Sequence, residues 1–308
     1  KLKIKNDEVG KIIVNAKLFY EIIRKLPEGN IEFFTDESKK LHIKNLNSEF
    51  ELEYLKEEKF PFAKEVKGEK FSFDRDILCN MIKKSSSCVS RESTKNALRG
   101  LYIEINKNGI RLVGSDGYRI AITKENIINE QEKDILVPVE NILNIEKILR
   151  EEKETVELII GEKDIKFELK EGEIYLKLLE GTYIDYKKPF LEEMKTEVII
   201  NKNDLINAVE RMYLLSPEKK NNKIILRLIN NLLKIETSSD IGYAKEEIIV
   251  DKMGEDNEFA INCKFLLDAI KNIDGEELKL KIGKNERFIL IEEVENDRSQ
   301  FLIMNLKK

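Results

Sequence analysis

The chain has 308 residues, of which 41% are hydrophobic and 37% charged, and it carries a net charge of −5 at pH 7. That length allows two or three domains, each with its own core, and no apolar run approaches the length of a membrane span. Three scattered cysteines and a single histidine exclude a disulfide framework and leave little room for His-based triads or zinc sites.

The first legible element is a short apolar strand, Ile12-Ile13-Val14, that runs directly into a helix stopped by Pro27 and Gly29. The segments IEFF and LHIKN follow, and His42 in the second reads as an exposed strand residue. After the charged stretch 66–70, Phe73 ends a strand, and Leu78 and Ile82 mark one face of a second helix. Residues 96–123 then predict an antiparallel meander. Leu101, Ile103 and Ile105 alternate with Tyr102 and Glu104. A turn at 106–109 follows, in which Gly109 can take a positive φ. Ile110 and Leu112 resume the alternation, and Ser115-Asp116-Gly117 makes a second turn of hairpin type. Tyr118, Ile120 and Ile122 return on one side of a strand, with Arg119 and Ala121 on the other.

Ile135-Leu136-Val137 leads into a third helix with Pro138 at its start, and the strands VELII and IKFEL come next. The charged segment 191–197 separates these from a fourth helix marked by Leu205 and Val209. A second meander covers 224–228, 232–236 and 244–250. Phe259-Ala260-Ile261 opens the last helix, and LKLKI and FILIE follow it.

These elements repeat. Val14, Val137 and Ile261 end equivalent strands, 123 and 124 residues apart. Counted from each, the fifth, eighth and twelfth residues are apolar and share one helix face: Phe19, Ile22 and Leu26; Ile142, Ile145 and Leu149; Leu266, Ala269 and Ile273. The tenth is basic in every copy: Arg24, Lys147 and Lys271. A second kind of unit alternates with the first, because Phe73, Leu78 and Ile82 recur 127 residues later as Ile200, Leu205 and Val209. The pattern predicts an α+β chain with two whole domains, 69–191 and 192–308, preceded by the second half of a first one, 1–68. An opening at Lys1 rather than Met agrees with a chain that begins inside a longer natural sequence.

No catalytic constellation is legible. There is no Gly-rich phosphate loop, metal-spaced cluster or activated nucleophile, so neither an enzyme nor a cofactor is expected. The acidic pairs Glu57-Glu58, Glu151-Glu152 and Glu246-Glu247 read as solvated surface. The helices carry net positive charge while the rest of the chain is acidic, a separation that attracts a phosphate backbone without reading its sequence. Arg24, Lys147 and Lys271 are the first candidates for phosphate contact, with Lys17, Lys264, Lys83 and Lys84 behind them. Lys17 and Lys264 stand third after their strands, and Glu140 breaks that pattern in the middle copy.

The string RLVGSDGYRIAI resembles the Thr/Ser-Asp-Gly-His/Tyr-Arg-Leu pattern of the bacterial DNA polymerase III beta subunit family of sliding clamps, through Ser115, Asp116, Gly117, Tyr118, Arg119 and Ile120. IIVNAKLFYEIIRKLPEG, ILVPVENILNIEKIL, LEGTYIDYKKPF, INCKFLLDAIKNI and the terminal FLIMNLKK resemble the family's three domains in order, so the likeness spans the whole chain. It implies repeated clamp domains in a ring, with antiparallel sheets outside and helices lining the inner surface. Two copies would close head to tail around duplex DNA. The implied role is a non-catalytic, cytoplasmic processivity factor that tethers the polymerase III catalytic subunit and also meets the clamp loader and other clamp-motif proteins. The alternative is a β-rich peptide-binding scaffold that does not encircle DNA.

The resemblance also implies an apolar pocket for a linear peptide. Leu98, Ser115, Gly117, Tyr118, Arg119 and Ile120 would form one side. Ile184, Lys188 and Pro189 would come from the interdomain segment, and Phe265, Met304, Asn305 and Leu306 from the third domain. Ile184 and Asn305 stand where the family usually has proline, and Lys188 where arginine is common. For the dimer contact, the resemblance implies Phe50 and Leu52 on an edge strand facing Leu214 and Leu215. A chain without the first half-domain is expected to close such a ring poorly.

Overall fold

A computed structural model describes residues 5, 9–55, 65–152, 154–170, 172–216 and 222–306, so the pair Glu57-Glu58 lies outside the described residues. The chain divides into two compact units, 1–65 and 66–308.

The first unit opens with helix α1 (Ala16–Lys25), which starts where the Asn15 side chain accepts a hydrogen bond from the Leu18 N–H at 3.0 Å. Strands β1 (Glu32–Thr35), β2 (Lys40–Asn45) and β3 (Ser48–Glu53) then form an antiparallel sheet in the order β1-β2-β3. Leu41, Ile43, Leu52 and Tyr54 make the core, and Phe19, Ile22 and Leu26 pack on it half-buried. No residue of α1 is fully buried within the unit. Two expectations are corrected here. Leu52 lies in this core and does not offer itself on the edge strand, because it sits beside Leu41 of β2 beneath the packed residues of α1. His42 is not an exposed strand residue. Its side chain is only 12% exposed, stacked on Phe34 with centroids 4.6 Å apart and paired to Asp36 at 2.9 Å.

The second unit begins with β4 (Glu69–Asp74), α2 (Arg75–Ser86), the single turn α3 (Asn96–Arg99), and the meander β5 (Gly100–Asn106), β6 (Gly109–Ser115) and β7 (Arg119–Glu125). Strand β8 (Lys133–Pro138), α4 (Val139–Leu149), β9 (Thr155–Ile160), β10 (Asp164–Glu168) and β11 (Glu173–Lys177) follow. A 3-10 turn, Lys188–Leu191, precedes β12 (Met194–Asn201) and α5 (Lys202–Leu215). Then come β13 (Lys223–Ile229), β14 (Leu232–Ser239), β15 (Gly242–Ile249), β16 (Asp251–Gly254) and β17 (Asn257–Asn262). The unit closes with α6 (Cys263–Lys271), β18 (Glu277–Gly283), β19 (Phe288–Glu293) and β20 (Ser299–Met304).

The repeat is visible in the packing. Helices α2 and α4 share a core with residues of β4, β9 and β10 on one side and of β5, β6 and β8 on the other. Helices α5 and α6 share a second core with residues of β13, β14 and β17 and of β12, β18 and β19. Phe73, Leu78 and Ile82 and their counterparts Ile200, Leu205 and Val209 are all buried. Two four-stranded sheets run β11-β10-β9-β4 and β15-β14-β13-β17, while a nine-stranded sheet runs β16-β12-β18-β19-β20-β7-β6-β5-β8. Strands β7 and β20 pair antiparallel, with Arg119 opposite Ile303, so hydrogen bonding is continuous across the two repeats.

The meander turns fall where expected, but the glycines act for different reasons. Gly117 has φ +92°, the left-handed region that favours glycine. Gly109 does not have a positive φ. A Cβ there would sit 2.5 Å from the Glu125 carbonyl oxygen, so close approach of β7 is what requires glycine. Among the described residues no helix is long and apolar enough to cross a membrane, and no group of three metal-binding side chains occurs.

Candidate functional site

The Ser-Asp-Gly turn aims Arg119. Ser115 Oγ donates to the Arg119 carbonyl at 2.9 Å and accepts from the Gly117 N–H at 3.1 Å. Asp116 Oδ1 accepts from the Tyr118 and Arg119 N–H groups, an Asx-type turn, and Oδ2 accepts from Arg119 Nε at 3.0 Å. Arg119 then reaches into the other repeat. Its Nη1 donates to Asp268 of α6 at 2.7 Å, and its Cζ lies 4.2 Å from the centre of the Phe265 ring.

Several expected pocket residues meet at this end of the β7–β20 ladder. The Met304 N–H donates to the Tyr118 carbonyl at 2.9 Å. A Cβ on Gly117 would lie 3.8 Å from the Leu98 side chain. Tyr118 and Met304 are exposed and supply an apolar rim. Ile120 and Ile184 pack with Tyr186 and Leu302 on the opposite face of the sheet from Arg119, as strand alternation requires. Lys188 and Pro189 occupy the 3-10 turn that follows. Asn305 engages its side chain on backbone, accepting from the Ala260 N–H and donating to the Glu286 carbonyl. The Leu306 N–H donates to the Ala260 carbonyl at 2.6 Å. These two residues hold Met304 in place. Sequence reasoning missed Asp116 and Asp268 as site residues. The signal for them was an arginine at a mostly apolar position, which demands carboxylate partners once buried.

The helix faces sort the basic residues. Lys17 on α1, Lys83 on α2, Lys147 on α4 and Lys264 on α6 are exposed, and none forms an ion pair among the described residues. Arg24 is exposed but paired with Glu21 at 2.8 Å, and Lys271 with Glu210 at 2.6 Å. Lys84 is a correction. It is buried, with Nζ 2.5 Å from Asp274 and 3.1 Å from Ser299 Oγ, and it is unavailable to a phosphate.

Among the described residues each of the four sheets has two edge strands, and β3 and β15 are two of these eight. Phe50 on β3 is partly exposed, and Leu214 near the end of α5 is 77% exposed, while Leu215 is half-buried. Strand β15, legible in the sequence as the last strand of the second meander, carries Tyr243 and Ile249 exposed, and sequence reasoning did not name them as a contact surface.

Models of the DNA polymerase III beta subunit match almost the whole chain: its N-terminal domain over residues 1–64, its central domain over 72–185 and its C-terminal domain over 188–307. The beta sliding clamp of Staphylococcus epidermidis is 28% identical over 301 residues, covering 96% of this chain and 80% of the relative. That of Bacillus subtilis is 26% identical over 291 residues, covering 92% and 77%. Among solved structures, the DNA polymerase III subunit beta of Pseudomonas aeruginosa superposes with a TM-score of 0.91 at 28% identity, covering 97% of this chain and 84% of that one. A sliding clamp of the same organism bound to griselimycin superposes with a TM-score of 0.89 at 28% identity, covering 98% and 82%.

Proposed function

The chain belongs to the DNA polymerase III beta subunit family, whose members are non-catalytic DNA sliding clamps, and from that premise we propose how its own residues do the work. Duplex DNA is held through the exposed lysines Lys17, Lys83, Lys147 and Lys264, with Arg24 and Lys271 contributing less because each already has a carboxylate partner. The observation that carries this reading is the recurrence on α1, α2, α4 and α6 of an exposed lysine without an ion pair among the described residues. Lysine contacts to phosphate are individually weak, exchangeable and blind to sequence, which permits sliding.

The polymerase catalytic subunit and other partners enter as linear peptides at the Tyr118–Met304 rim, where apolar anchors fill a cleft and polar groups fix chain direction. We propose that griselimycin, which the Pseudomonas protein binds, enters this cleft in the present chain and serves as its probe. Two copies associate through β3 and β15, a reading supported by the exposed apolar side chains of Leu214, Tyr243 and Ile249 at or beside one of those edges.

Retention on circular DNA tests the topology. Full-length protein loaded on a nicked circle is expected to survive high salt and to be lost when the circle is cut. Equal salt-sensitive loss from circular and linear DNA would favour a scaffold that never encloses the duplex.

A further inference from the structure

Arg119 is the group through which the peptide rim and α6 meet. Its side chain is 11% exposed and is held by two carboxylates from different repeats. They are not equivalent. Asp116 accepts two backbone N–H groups of its own turn, so it stays in place whatever α6 does. Among the described residues Asp268 has no such anchor: the bond its carboxylate makes is to Arg119 Nη1. Asp268 lies three residues after Phe265 on α6, and positions three apart share one helix face. One helix therefore grips the guanidinium twice, by charge at its end and by the Phe265 ring 4.2 Å from its central carbon.

We infer that Asp268 is a positioning residue of the peptide pocket, which keeps the Arg119 guanidinium over the Phe265 ring and so fixes the wall against which a bound peptide's apolar anchor rests. The inference rests on the peptide-binding reading above. Without the Asp268 carboxylate, Arg119 remains tied at Nε to Asp116 but is free to swing at its far end. A ligand must then order it on binding, and that ordering weakens affinity.

The test is calorimetric titration of griselimycin into the full chain and into Asp268→Asn, Asp268→Ser and Asp268→Glu. D268N and D268S are expected to bind about tenfold more weakly, the effect of losing one charge-assisted hydrogen bond. D268E, which restores the charge, is expected to return to within about threefold of the unaltered chain. Loss of α6 stability alone would lower the unfolding temperature and would not be rescued by glutamate. Should D268N fail to fold, D268S against D268E carries the comparison. Uncharged variants that bind as tightly as the unaltered chain overturn the role of Asp268 and leave the pocket intact. An unaltered chain that does not bind griselimycin overturns both.

Discussion

The ammonium of Lys84 lies 2.5 Å from the carboxylate of Asp274, although the lysine belongs to α2 and the aspartate follows α6. Lys83, its neighbour in sequence, stands in solvent. One residue of helix rotation thus separates a strut between the two repeats from a candidate phosphate contact.

The two lysines should respond differently to removal. Lys83→Ala is expected to weaken DNA binding without changing stability. Lys84→Ala is expected to cost about 1–2 kcal/mol in urea unfolding, since the orphaned Asp274 is largely exposed and returns to water. A K84A chain of unchanged stability but reduced DNA affinity would reverse the assignment.

Salt dependence ranks the remaining basic residues. Each of Lys17→Ala, Lys147→Ala and Lys264→Ala should reduce the slope of log affinity against log salt by about 1, as loss of one phosphate contact does. Arg24→Ala and Lys271→Ala should reduce it less, because Glu21 and Glu210 already neutralise those charges. Fluorescence anisotropy on a labelled duplex gives the slopes, and a larger change for R24A than for K147A would contradict the ranking.

Glu104 gives the second unit a pH-dependent fastening. Its carboxylate accepts from the Tyr186 hydroxyl at 2.5 Å, from Arg111 at 3.0 Å and from Lys187 at 3.1 Å. Burial pushes its carboxyl up, but the hydrogen bonds from Tyr186 and Lys187 outweigh it and hold the group below the usual glutamate range. A depressed folded value contributes stability above the unfolded value and loses it as pH falls through the folded one. Glu104→Gln should therefore cost about 1–3 kcal/mol at neutral pH, and its difference from the unaltered chain should shrink in acid. A constant difference across that range would show that the charge is not the cause.

Much of this fold was legible because its period is strong. Strict alternation placed Leu101, Ile103 and Ile105, and the 127-residue recurrence placed Leu78 with Leu205 and Ile82 with Val209, all buried. What escaped was set by contacts between elements far apart in sequence. Lys83 and Lys84 look alike until Asp274 and Ser299 are seen beside one of them. Asp268 carries no local sign that it faces Arg119, 149 residues away. Leu52 and Phe50 share a face of β3, and only the packing of α1 and β2 decides that one is core and the other partly exposed.

The cysteines should be silent in the native state. Burial pushes the Cys79 thiol up to about 11 and those of Cys88 and Cys263 up to about 12, so almost no thiolate exists at neutral pH. Ellman's reagent should label none of the three within minutes and all of them in denaturant. Rapid labelling of one thiol in the folded chain would mean that its core opens on that timescale.

Self-association should separate Leu214 from Leu52, two residues that the family resemblance pairs. Leu214 is 77% exposed and Leu52 only 8%. Leu214→Asp therefore removes apolar surface without disturbing a core, whereas Leu52→Asp places a charge inside the first unit, an error that costs several kcal/mol. In sedimentation velocity over a concentration series, L214D is expected to shift dimer formation to higher concentration with unchanged secondary structure. L52D is expected to unfold the first unit before any effect on association can be read. An edge contact made by β15 also predicts that Ile249→Lys, 85% exposed on that strand, acts like L214D. If neither surface substitution moves the association curve, the copies do not meet at β15, and the edge must be protected by something other than a second copy.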